Sequence, residues 1–248
     1  MDPIENLKYL GFIGFLLTSL AYGDQGEEYP WLENLDPGGG GYKKSGARLI
    51  RLDFGLNPLE SFNGKEEVLL ISVHGSRSEG YEWIYPLQRL DTKKSATFFY
   101  RWNDSKCYLN SAEKLNSYLS EAMRNLPELE KVVLVGHSYG GVLVTSLVET
   151  WNNRLPAEIH SIAGPIGLEF YREGCNYSPP KHISDKAVFY QWRTQHHLDA
   201  AFKRLKKDPQ NLTLKGSKVT RLPESYRGRR LGHNWSISWV ADELGPLN

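Results

Sequence analysis

The stretch from Lys131 to Val144, KVVLVGHSYGGVLV, constrains this chain more than any other part of it. A β-branched apolar run passes through Gly-His-Ser-Tyr-Gly-Gly and goes straight into a second apolar run. A plain turn needs one or two glycines, whereas here three of them surround a serine. The pattern predicts a buried strand, a sharp turn and a helix, with Ser138 at the tip in strained backbone geometry. Gly136 and Gly140 then have to be small, because neighbouring backbone must pass close to them.

The surrounding chain repeats the strand-then-helix rhythm. Glu67–Val73, Ala96–Trp102 and Lys131–Val135 read as buried strands, and Ala157–Gly164, Ala187–Arg193 and Ser217–Leu222 follow. Apolar residues recur at helical spacing over Ala112–Leu126, after Val142, over Leu198–Lys207 and over His233–Leu244. Ala47–Phe54 alternates and predicts an edge strand, while residues 24–46 are polar and Gly/Pro-rich and predict a loop. Alternation of this kind gives an α/β fold, a mostly parallel central sheet covered by helices on both faces. One domain over residues 47–248 is expected.

Residues 1–23 stand apart. Leu10–Tyr22 is an almost uncharged apolar run followed by a small-residue site at Ala21-Tyr22-Gly23, which predicts a signal peptide and a secreted or periplasmic protein. In an oxidising compartment Cys107 and Cys175 make one disulfide available, two unpaired thiols being the alternative. Sequons occur at Asn103, Asn176, Asn211 and Asn234. A glycan on Asn234 would crowd His233, so they are discounted. With 24% charged residues and a net charge of +1, composition gives no reason to expect nucleic acid as a partner. No cluster has metal-ligand spacing, no loop is built to cradle phosphate, and no cofactor is expected.

The segment from Gly136 to Gly140 resembles the Gly-x-Ser-x-Gly nucleophile elbow of the α/β-hydrolase superfamily. His74-Gly75, after the first buried strand, resembles the His-Gly dipeptide of lipases and esterases. LGHNWSI, around His233, resembles the segment that carries the base in that family. The resemblance covers roughly Val68 to Leu244 and implies an α/β-hydrolase fold with a short cap and a lipase/esterase-like serine hydrolase. It implies Ser138 as nucleophile, His233 as base and Asp199 as the orienting acid, with Glu169 as the runner-up acid. The oxyanion would be held by the backbone N–H groups of Ser76 and Tyr139.

Tyr81, Trp83 and Tyr85, after the oxyanion loop, are candidates for one wall of an acyl pocket. The arginines before His233 could draw an anionic ester or a lipid head group, with transient contact to a membrane surface. A small-molecule or lipid ester is the expected substrate. A thioesterase, an acyltransferase and a non-catalytic binding module of the same fold remain as alternatives, and the oligomeric state is left open.

Overall fold

The computed structural model describes residues 31–167, 170–172 and 175–247. The expected signal peptide and Glu169 lie outside the described residues. A 3-10 turn (Leu32–Asn34) is followed by α1 (Tyr42–Ile50), β1 (Gly55–Pro58), β2 (Val68–Val73), α2 (Tyr81–Leu90), β3 (Ser95–Arg101) and α3 (Tyr108–Asn125). Then come β4 (Lys131–His137), α4 (Tyr139–Thr145), β5 (Ala157–Ile162), β6 (Phe170–Arg172), β7 (Cys175–Tyr177) and β8 (Ala187–Arg193). β9 (Lys218–Arg221), β10 (Ser225–Tyr226), β11 (Arg229–Arg230) and α5 (Ser236–Leu244) complete the order.

Seven strands form the central sheet in the order β1-β3-β2-β4-β5-β8-β9. Only β1 runs antiparallel to its neighbour; the other pairings are parallel. The expected α/β class with a mostly parallel sheet is therefore what the chain adopts. A parallel sheet must be covered on both faces, and its central strands are accordingly apolar on both. Every residue of β2 is buried. One face packs α3 and α4 through Leu115, Leu119, Leu143 and Val144; the other packs α1, α2 and α5 through Leu49, Trp83, Ile84 and Val240. Because all central strands point the same way, the loops after β2, β4, β8 and β9 gather at one rim.

Three local expectations are corrected. Ala47–Phe54 is not an edge strand: residues through Ile50 belong to α1, and the antiparallel edge is Gly55–Pro58. The segment 24–46 is not all loop either, since α1 begins at Tyr42, and Leu32 and Leu35 are buried in the core. Leu198–Lys207 forms successive turns rather than a helix. Its cations Lys203, Arg204, Lys206 and Lys207 are exposed, while Phe202 is buried.

Cys107 is disulfide-bonded. Among the described residues no helix is long and apolar enough to cross a membrane, and no group of His, Cys, Asp and Glu is arranged to hold a metal.

Candidate active site

Ser138 joins β4 directly to α4 with φ 55° and ψ −118°. A non-glycine residue there carries about 1–3 kcal/mol of backbone strain, which persists only where the surroundings fix it. Here they do. A Cβ on Gly140 would sit 2.2 Å from the Val73 carbonyl oxygen, and one on Gly136 would sit 2.4 Å from the Gly140 carbonyl oxygen. Both sites admit glycine alone, so the turn is locked on two sides. The close backbone approach expected from the sequence is present.

The loop after β2 lies against this turn. A Cβ on Gly75 would come within 2.9 Å of the Ser138 Cβ and 3.0 Å of the His137 carbonyl oxygen. Ser76, the next residue, is thus held beside the serine, and Tyr139 follows it in the chain. The His74 side chain fastens this loop to the end of β3. Arg101 reaches its Nε2 at 2.7 Å and the Trp102 backbone N–H at 3.3 Å. Nε2 therefore accepts, and Nδ1–H donates to the Gly75 carbonyl at 2.9 Å. The Trp102 indole N–H also donates to the His74 carbonyl at 2.9 Å. Burial above all presses the His74 pKa down to about 4, so the ring stays neutral and keeps that acceptor.

At the far side of the elbow stand an acid and a base from loops 34 residues apart. Asp199 Oδ2 lies 2.9 Å from His233 Nδ1. The carboxylate is fully buried and well supplied: the Thr194 hydroxyl donates to Oδ2 at 2.5 Å, and the Ala201 N–H donates to Oδ1 at 2.8 Å. Burial pushes its pKa up, but the His233 ring, Thr194 and Ala201 together outweigh that and hold it below the usual carboxylate range. Asp199 is therefore an anion that can keep His233 in the Nδ1–H tautomer. That leaves Nε2 as the basic nitrogen. The His233 side chain is 13% exposed, enough to meet a substrate.

His137, inside the elbow, proves to be a neighbour of His233. Its Nε2–H donates to the His233 carbonyl at 3.1 Å, and the two rings lie 4.7 Å apart. The Ser236 hydroxyl donates to the same carbonyl at 2.5 Å. Phe202 meets the His233 ring edge-on at 5.0 Å. His233 is thus held by its backbone carbonyl, its ring face and its Nδ1. Among the described residues the Ser138 hydroxyl and His233 form no hydrogen bond, a contact that in resting enzymes often tightens only on substrate binding.

The wall candidates part company. Tyr81 borders a cleft next to Asn234 and Trp235, but Trp83 is wholly buried in the core against Phe99 and meets no substrate. Helical geometry separates them: residues 81 and 85 share one face of α2, and residue 83 faces the other way. His160 is buried as expected, stacked on Tyr190 at 4.4 Å. His196 donates to or accepts from nothing at the dyad; its Nε2 contacts the Phe202 carbonyl at 2.9 Å.

No family model matches the chain, and no curated protein does. Among solved structures it is similar to Est1E from Butyrivibrio proteoclasticus, at 14% identity and a TM-score of 0.49, over 76% of this chain and 89% of that one. It is similar to the esterase domain of a Rhodothermus marinus protein, at 11% identity and a TM-score of 0.45, over 77% and 89%. A third likeness is to MGS-M1, an alpha/beta hydrolase enzyme from a Medee basin deep-sea metagenome library, at 14% identity and a TM-score of 0.41, over 74% and 80%. At such identities and scores nothing of their chemistry is carried over to this chain.

Proposed function

We propose that this protein is a serine hydrolase of the α/β-hydrolase type that cleaves carboxylic esters through an acyl-enzyme on Ser138. The observation that carries the reading is the pairing of a strained serine at a strand-to-helix turn with a buried Asp199–His233 dyad on the same rim. A serine hydroxyl is a weak nucleophile until a base takes its proton, and a base needs an orienting acid. Ser138 Oγ attacks the ester carbonyl while His233 Nε2 accepts its proton, and Asp199 stabilises the imidazolium. The Ser76 and Tyr139 N–H groups hold the oxyanion of the tetrahedral intermediate. Its collapse breaks the acyl carbon–oxygen bond, and His233 returns the proton to the departing alcohol. Water then attacks the acyl-enzyme by the same steps in reverse and releases the acid.

The intact dyad and the conformationally locked elbow favour this reading over a fold that has lost its chemistry. The apolar leader of the sequence and the disulfide at Cys107 support export to an oxidising compartment. The test is hydrolysis of a short-chain p-nitrophenyl ester by wild type and Ser138→Ala. The substitution should lower kcat by at least about 10³-fold. A wild-type rate in the variant overturns the proposal.

A further inference from the structure

A cleft of about 340 Å³ lies between the first turn of α2, the first turn of α5 and the residues that join His233 to α5. Tyr81, Glu82, Tyr85, Asn234, Trp235 and Ser238 border it. Asn234 follows His233 directly in the chain, so one wall of the cleft is contiguous with the residue that carries the imidazole.

Glu82 is the telling side chain. It is only 9% exposed; its Oε1 accepts from the Ser78 hydroxyl, and its Oε2 is buried with no hydrogen-bond partner. Burial raises its pKa, helped by the charge of Glu79 and opposed by the Ser78 hydroxyl and the nearby backbone N–H groups of Glu82 and Gly80. A buried polar oxygen without a partner is costly to the fold, and a donor brought by a ligand would offset that cost.

The walls discriminate among ligand chemistries. An alkyl chain would leave the polar groups of Glu82, Asn234 and Ser238 without partners. An anion would face the Glu82 carboxyl. A cation would compete with guanidinium groups already on the aromatic faces, since Arg227 sits 4.7 Å from the Tyr85 ring centroid and Arg229 sits 5.8 Å from that of Trp235. A hydroxyl-rich group meets none of these objections. Its C–H face suits the Tyr81 ring, and its hydroxyls can both donate and accept at Glu82, Asn234 and Ser238.

We infer that this cleft binds a hydroxyl-rich alcohol, a sugar or polyol, as the leaving-group side of the ester cleaved at Ser138. The inference that the bound alcohol is a leaving group rests on the proposed serine chemistry; the binding itself does not. In the step it serves, the acyl carbon–oxygen bond breaks, the electron pair stays with the sugar or polyol oxygen, and the His233 proton neutralises it.

Binding is therefore tested first without catalysis. Ser138→Ala protein is titrated with glycerol, with methyl α-D-glucopyranoside and with n-butanol while tryptophan fluorescence is followed. One of the two polyols should give a saturating change that Trp235→Phe abolishes, and which one saturates identifies the polyol or the sugar as ligand. Glu82→Leu and, independently, Asn234→Ala should each weaken it at least about tenfold with the melting temperature retained. The second arm uses wild type with glyceryl monoacetate, methyl 6-O-acetyl-α-D-glucopyranoside and butyl acetate. A polyol or sugar acetate should exceed butyl acetate in kcat/KM by about tenfold or more, and Glu82→Leu should erase that preference. No saturation by either polyol, or equal binding of butanol, overturns the inference. Polyol binding that survives while Ser138→Ala still hydrolyses esters supports the cleft and overturns the serine mechanism instead.

Discussion

Asp199 and His233 come from loops 34 residues apart and meet at 2.9 Å, carboxylate oxygen to Nδ1, with the carboxylate wholly removed from water. A buried anion is costly unless it is paired and hydrogen-bonded. Here Thr194, Ala201 and His233 share that task, so the same contacts that make the carboxylate tolerable also aim the imidazole.

Asp199→Asn keeps the shape of the site but reverses the polarity of one atom. It lets His233 adopt the wrong tautomer, so kcat toward a short-chain ester should fall by about 10³–10⁴-fold with little loss of thermal stability. Steady-state kinetics beside a thermal melt checks this. An activity within a few-fold of wild type would remove Asp199 from the mechanism.

His74 acts through position. Replacing it with alanine frees the loop after β2, the proposed oxyanion loop, from Arg101 and Trp102, so kcat should drop by about 10–100-fold while KM stays nearly constant. Trp102→Phe, which removes only the indole donor to the His74 carbonyl, should cost a few-fold at most. A KM effect without a kcat effect would assign the loop to ground-state binding.

The elbow glycines allow a controlled comparison. Gly140→Ala would push a methyl group to 2.2 Å from the Val73 carbonyl oxygen, whereas a methyl on Gly40 meets nothing within 4 Å. The first should destabilise the fold by about 3 kcal/mol or more, and the second should be nearly neutral. Urea unfolding of the two variants decides it, and equal midpoints would refute the close approach.

The buried histidines give the fold a sensitivity to acid. Burial, joined by the neighbouring His233, presses the pKa of His137 from 6.5 down to about 3. The unfolded chain takes up a proton near pH 6.5, and the folded chain does not, so the stabilising contribution is complete above that pH. It is lost as pH falls toward the folded value, by about 1.4 kcal/mol per pH unit. His137→Gln should show a correspondingly shallower decline in unfolding free energy between about pH 6 and about pH 4. Parallel declines would mean that His137 is not the group excluded from protonation.

The buried strands and the elbow were legible because they depend on local signals, apolar runs and glycines bracketing a serine. The loop carrying Asp199 was legible by its place after β8. The segment before β1 was not, because its alternating pattern fits a strand as well as a helix. Tertiary contact decides it: a Cβ on Gly46 would meet the Tyr81 backbone nitrogen at 2.4 Å, so α1 packs closely against the start of α2. Leu198–Lys207 has helical spacing, yet Asp199 turns inward to take the Ala201 N–H and Phe202 packs on His233, which spends the segment on the site rather than on a helix. His137 gave no sign in its spacing that it would brace the base, because that contact joins residues 96 positions apart.

The most direct test of the central claim is to treat the folded protein with a fluorophosphonate, which reacts with activated serines, and to map the adduct by mass spectrometry. Near-stoichiometric labelling at Ser138, absent in Ser138→Ala and greatly slowed in His233→Ala, is the predicted result. Labelling at another residue, or at Ser138 with an undiminished rate in His233→Ala, would contradict it.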